Sequence, residues 1–264
     1  MNKQKLASIL RTTFLGLVPL GALLYAVTVL LNYDKGTNYL RSGFDFSLIL
    51  LTMLTVLIAI ASVLMGDKPS DVLSPFGTNL FFALPAALGF GVGAIFTAIE
   101  FAKSQAVWFL VATLLLLLSA AHVLLSETDH ALPILGFAPP IACAFWVGIL
   151  YFDASLEMNA PLKVVAQVAL LPLILYFTAE LRYLLDRQIP RLYLALAFVS
   201  IAASSLCVFS IPVASLAGFL NNSNCLAAAL VVLGVNITIL LKLKRFLTPT
   251  PSPDENDTKE TDAQ

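Results

Sequence analysis

The chain has 264 residues, of which 59% are apolar and 12% charged, with a formal net charge of -1; a soluble globular domain holds roughly 45–50% apolar and 25% charged residues. So much apolar surface cannot be hidden in a soluble core of this size. The small net charge leaves no nucleic-acid footprint, and the absence of short alternating strands excludes a transmembrane barrel.

The apolar residues fall in runs of about 20, the length that crosses ~30 Å of hydrocarbon. Eight spans are predicted: 12–32, 46–66, 78–99, 106–126, 131–152, 162–181, 192–212 and 222–242. The expected fold is an all-α polytopic transmembrane bundle over 1–247, followed by a tail over 248–264. The first run follows Lys3, Lys5 and Arg11 as a signal peptide would. Its apolar part is too long and no small-residue cleavage site follows, so it is read as a retained span. The segment 33–45 is the longest loop and too short for a soluble domain.

In the third span Pro85 precedes Gly89 and Gly93, a GxxxG face that admits a close helix. Packing within the bundle is the first reading, and a dimer interface or hinge the second. Beyond it, Glu100 and Lys103 read as a surface pair. On the fourth span His122 shares a face with Ser119 and Ser126 and is expected to hydrogen-bond a neighbouring helix, with titration near neutral pH as the alternative. The fifth span carries Pro139 and Pro140, which together remove two backbone donors and predict a kink or break near mid-membrane. Such a break exposes carbonyls in many transporters, although neighbours often satisfy them.

Asn159, Ala160 and Pro161 predict the start of the sixth helix, with Asn159 as its cap. Asp153 and Glu157 lie before it near Lys163 and are read as holding a loop. On an ideal helix Asn159, Lys163 and Gln167 share one face of the outer half, and Tyr176, Glu180, Tyr183 and Arg187 share a roughly opposite face of the inner half. Pro172 lies between the two stripes and can re-aim either. Glu180 falls about 27 Å along the axis from Leu162, at the inner edge of the hydrocarbon. Its first reading is an anchor bonded by Tyr176, Tyr183 or a neighbouring helix; a coupling or substrate role is the second.

Cys143, Cys207 and Cys225 are scattered and predict packing thiols, neither disulfides nor a zinc site. No metal or cofactor site is indicated, and the usual catalytic signatures are missing, so no enzyme is expected. The tail, "TPTPSPDENDTKETDAQ", has too little apolar surface to fold and is read as disordered.

With the N-terminus in the cytoplasm, Lys3, Lys5, Arg11, Lys68, Arg182, Arg187, Arg191, Lys242, Lys244, Arg245 and Lys259 fall on the inner side, and Lys35, Arg41, Lys103 and Lys163 on the outer. That 11 to 4 excess places both termini in the cytoplasm.

The run from Phe152 to Leu194, with Asp153, Asn159, Pro161, Lys163, Gln167, Glu180, Arg182, Pro190, Arg191 and Tyr193, resembles a segment of an uncharacterised family of bacterial multi-pass membrane proteins. The resemblance implies a bacterial cytoplasmic membrane and carries over no activity and no site. The partners expected are the bilayer and, in addition, a second copy or another membrane protein. Small-solute or ion transport is the leading function, resting on the proline break and on polar groups inside the bundle. The alternative is an accessory or sensory protein acting through partners. Transport predicts a polar cavity reaching mid-membrane, with Pro139, Pro140, Gln167 and His122 along it; the alternative predicts polar residues confined to the bundle ends.

Overall fold

The computed structural model describes residues 3–34, 36–41, 45–65, 76, 79–128 and 132–247. The predicted tail lies outside the described residues, as do Lys35, Lys68 and Lys259 of the basic count. Among the described residues there are eight α-helices: α1 (Lys3–Asn32), α2 (Asp45–Met65), α3 (Leu80–Ser104), α4 (Val107–Leu125), α5 (Ala138–Phe152), α6 (Pro161–Leu184), α7 (Pro190–Leu216) and α8 (Ser223–Leu247). A 3-10 helix, Pro133–Phe137, runs directly into α5. Among the described residues seven segments are long and apolar enough to cross a membrane; in α2 the apolar stretch is the shorter Thr52–Leu64. The chain is a helical multi-pass membrane protein. The helices overrun several predicted spans, α1 beginning at Lys3 and α8 continuing to Leu247.

The segment predicted as a loop after α1 contains a small antiparallel hairpin, β1 (Tyr33–Asp34) and β2 (Tyr39–Leu40), in register Tyr33 to Leu40. Its turn is set locally: Asp34 Oδ1 accepts the Gly36 N–H at 2.9 Å and Asn38 takes a left-handed φ of 57°.

Helices α7 and α8 form the centre, each with 67% of its most apolar window buried, against 28% for α4. Around them stand three sequential pairs: α1 and α2 pack on α7, α3 packs on α8 with α4 outside it, and α6 packs on α7 with α5 beside it. Apolar burial does not drive association in lipid, so close approach and hydrogen bonds must do so. The α3–α8 crossing meets that need. A Cβ at Gly89 would stand 3.2 Å from the carbonyls of Leu230 and Val231, one at Gly93 2.7 Å from Val231 Cγ2, and one at Gly234 would overlap the Pro85 carbonyl. The GxxxG face is thus filled from within the bundle. Thr238 Oγ1 accepts the Ala86 N–H at 3.0 Å, directly after Pro85. On α7, Ser200 Oγ donates to the Pro172 carbonyl of α6 at 2.9 Å and Ser204 Oγ to Asn236 Oδ1 of α8 at 2.9 Å.

Two expectations about helix starts need correction. Pro139 and Pro140 do not break a helix at mid-membrane: both are buried in the first turn of α5, which continues unbroken to Phe152. A proline there lacks only an N–H that has no intrahelical acceptor and has φ already set for helix, so the pair starts α5 instead of interrupting it. Asn159 does not cap α6. The cap is Ala160, with no side-chain hydrogen bond, because Pro161 takes the first helical position and its predecessor becomes the cap; Asn159 is exposed.

Candidate functional site

The alternating helices put the start of α1 and the end of α8 at one end of the bundle, and the hairpin at the other. At the terminal end three charged side chains meet in the interior. Glu180, on α6, is 3% exposed and Lys242, on α8, is 4% exposed. Their Oε1 and Nζ atoms are 2.9 Å apart. Lys242 Nζ also lies 3.4 Å from Oε1 of Glu127, a buried residue just past the end of α4, and stands 5.0 Å from the ring centroid of Phe76. Three separate segments are therefore tied to one ammonium group. Charges removed from water this fully persist only when paired and hydrogen-bonded, and within a membrane such residues mark functional sites by default.

Tyrosines surround the pair. Tyr176 Oη donates to Glu180 Oε1 at 2.6 Å, the i, i+4 contact that one helix face provides, and lies 3.0 Å from Tyr193 Oη on α7. Tyr183 packs edge-on against Tyr193, with ring centroids 5.4 Å apart. From this cluster polar groups continue inward through Ser200, Ser204 and Asn236. Tyr193 to Ser204 is eleven residues, about 16 Å along α7 and half of a ~30 Å core. The seam is closed by hydrogen bonds, since each of these hydroxyls donates to a carbonyl or amide oxygen.

His122 is buried with Ser119 and Ser126 on its face and lies within electrostatic reach of Glu180 and Lys242. The interhelical hydrogen bond expected of it is not formed among the described residues. Instead the imidazole packs against the 3-10 helix, where a Cβ at Gly136 would come 3.5 Å from His122 Cε1. Both serines spend their hydroxyls on carbonyls of their own helix, which leaves the face closed by packing. Gln167 is half-buried in the opposite half of α6, away from this cluster. Of the four residues expected along one cavity, His122 lies against the turn that leads into Pro139 and Pro140, and Gln167 does not join them. Arg182 is exposed on the last turn of α6; Arg187 lies beyond Leu184, where the helix has ended, and is exposed, so it does not extend the Tyr176–Glu180–Tyr183 face as expected.

The hairpin end carries a second cluster. Asp153 Oδ2 accepts from Asn222 Nδ2 at 2.9 Å and Asn224 Nδ2 at 2.8 Å, and its Oδ1 accepts the Ser155 N–H at 2.9 Å. Burial alone would raise this carboxyl, but the bonds from Asn224, Asn222 and Ser155 outweigh it and hold Asp153 below the usual carboxylate value. Lys163, 2% exposed, donates to the backbone carbonyls of Asp153 at 2.6 Å and Leu156 at 3.2 Å. This arrangement fastens the α5–α6 loop to the start of α8, the loop-holding role expected of Asp153. Glu100 bonds Lys103 at 2.9 Å and also accepts from Ser223 Oγ at 3.0 Å.

Sequence reading missed Lys242 and Glu127. Lys242 counted only among the inner-side basic residues, and Glu127, between the predicted fourth and fifth spans, was not singled out. The available signal was periodicity: Lys242, Thr238 and Gly234 recur every four residues on α8 and share its buried face. The three cysteines are buried free thiols, as predicted. No group of three or more metal-ligating side chains occurs among the described residues.

Comparison with protein-family models, curated proteins and solved structures finds no match to this chain.

Proposed function

We propose that the protein moves a small ion or solute across the membrane, with the Glu127–Lys242–Glu180 cluster as the gate at its terminal end. The observation that carries this reading is the burial of three charges where α4 ends and α6 and α8 approach their ends. Ion pairs of this kind hold a path shut while formed and open it when a proton, an ion or a charged solute takes one partner's place. The seam through Tyr176, Tyr193, Ser200, Ser204 and Asn236 supports the same reading, because it extends polar groups from the gate to mid-membrane. Glu180 is then both an anchor in the closed state and a member of the gate. The cytoplasm faces this end if the basic excess sets the orientation.

The test is ion flux in vesicles holding the purified protein, followed with a pH-sensitive dye and with labelled alkali ions. The double variant Lys242→Met with Glu180→Gln removes the tie and should raise flux above wild type. Flux indistinguishable from empty vesicles in both proteins would remove the proposal.

The second reading is an accessory protein acting through partners. It is favoured by one observation: the Asp153 cluster at the hairpin end is wholly engaged in holding loops.

A further inference from the structure

Helices α2 and α6 both pack on α7 and leave a gap between them. The gap is a cavity of about 710 Å³, walled by Met53 and Leu57 of α2 and by Val164 and Val168 of α6, with Ala203 and Leu206 of α7 as its floor. That volume suits a small-molecule site, which typically runs from about 300 to 1,000 Å³. No charged side chain is among its lining residues. Met53, Leu57, Val164 and Val168 are also exposed, as is Leu171 one turn further along α6, so the mouth of the cavity faces lipid.

We propose that this cavity is a binding site for one acyl chain of a membrane phospholipid, with the headgroup at the hairpin end. Three features select that occupant. First, the lining is apolar along the helices, while Asn159 stands at the end where α6 begins. A ligand that fits is polar at one end and hydrocarbon along the rest. Second, Pro161 to Val168 covers only about 10 Å of axis, too short for a spanning helix of a second copy or of another protein and suited to part of a single chain. Third, Glu157 of the α5–α6 loop that carries Asn159 lies within electrostatic reach of Tyr39 of the hairpin. The hairpin also carries the exposed Arg41, which pairs with Asp34 at 3.2 Å. A guanidinium held at the headgroup level complements a lipid phosphate.

The test uses a phospholipid with a photoactivatable group in its acyl chain, mixed into vesicles of phosphatidylethanolamine and phosphatidylglycerol that contain the full chain. Labelled positions are mapped by mass spectrometry. Labelling at Met53, Val164 and Val168 should exceed several-fold that at Leu88 and Ile95, which are 64% and 60% exposed on α3 and report ordinary contact with surrounding lipid. Ala203→Phe, which fills the floor, should bring the cavity positions down to that background. Competition with unlabelled phospholipid should do the same in the unmodified protein, so the result does not depend on the variant's folding. Equal labelling of the cavity and α3 positions, meaning bulk lipid contact only, would overturn the proposal, as would cavity labelling that excess phospholipid leaves unchanged.

Discussion

Replacing Lys242 with Met removes the ammonium that two carboxylates share and keeps the volume of the stem. Glu180 and Glu127 then face each other in the interior without the cation that held them, at sites where the ammonium had been 2.9 and 3.4 Å away. Breaking a buried ion pair from one side costs about 3–5 kcal/mol, because the remaining charge keeps its desolvation penalty. Glu180→Gln should cost less, about 1.5–3 kcal/mol, the worth of a hydrogen bond to a charged group. It leaves Lys242 with Glu127, and the Gln carbonyl can still accept from Tyr176. The double variant should then be more stable than Lys242→Met alone, since neutralising Glu180 removes one of the two stranded charges. The assay is unfolding free energy in mixed micelles for wild type, both single variants and the double, which together give a coupling energy. A Lys242→Met cost below about 1 kcal/mol, the range of a solvent-exposed pair, would refute the claim that this cluster is dry.

Gly234→Ala should destabilise by about 1–3 kcal/mol by forcing α3 from α8, whereas Gly148→Ala, whose added methyl meets nothing within 4 Å, should be neutral or stabilising by roughly 0.5–1 kcal/mol; thermal unfolding of both variants checks the contrast. Asp153 has a folded value below its ordinary 3.8, so its stabilising contribution is complete above about pH 4 and is lost as pH falls through the lower folded value. Asp153→Asn should flatten the acid limb of a stability profile, and an unchanged limb would show that other groups set it. For orientation, single cysteines at Thr37 and Gln188, both exposed, in a chain lacking Cys143, Cys207 and Cys225 should react with an impermeant thiol reagent from outside at 37 and not at 188. The reverse pattern would invert the topology.

How much of this was legible before folding depends on the range of the interaction. Span number and placement rest on lengths of apolar chain against a fixed hydrocarbon thickness, a local comparison that sequence alone decides. The Tyr176–Glu180 bond was legible for the same reason, since one helix turn brings residues four apart together. The shared face of Gly89 and Gly93 was legible too, but which helix fills it was not; Val231 of α8 does so from 138 residues after Gly93. The proline pair shows where local reading fails. Whether Pro139 and Pro140 start a helix or break one depends on the backbone before them, and that backbone is held as a 3-10 turn where Gly136 lets it pack on Leu181 and Leu184 of α6. The partners of Glu180 lay furthest out of reach. Lys242 is 62 residues away, and nothing local separates a lysine that turns inward to two carboxylates from one that reaches for headgroups. Burial decides between those outcomes, because an ammonium is stable in either place only if water or carboxylates surround it, and burial is a property of the assembled helices.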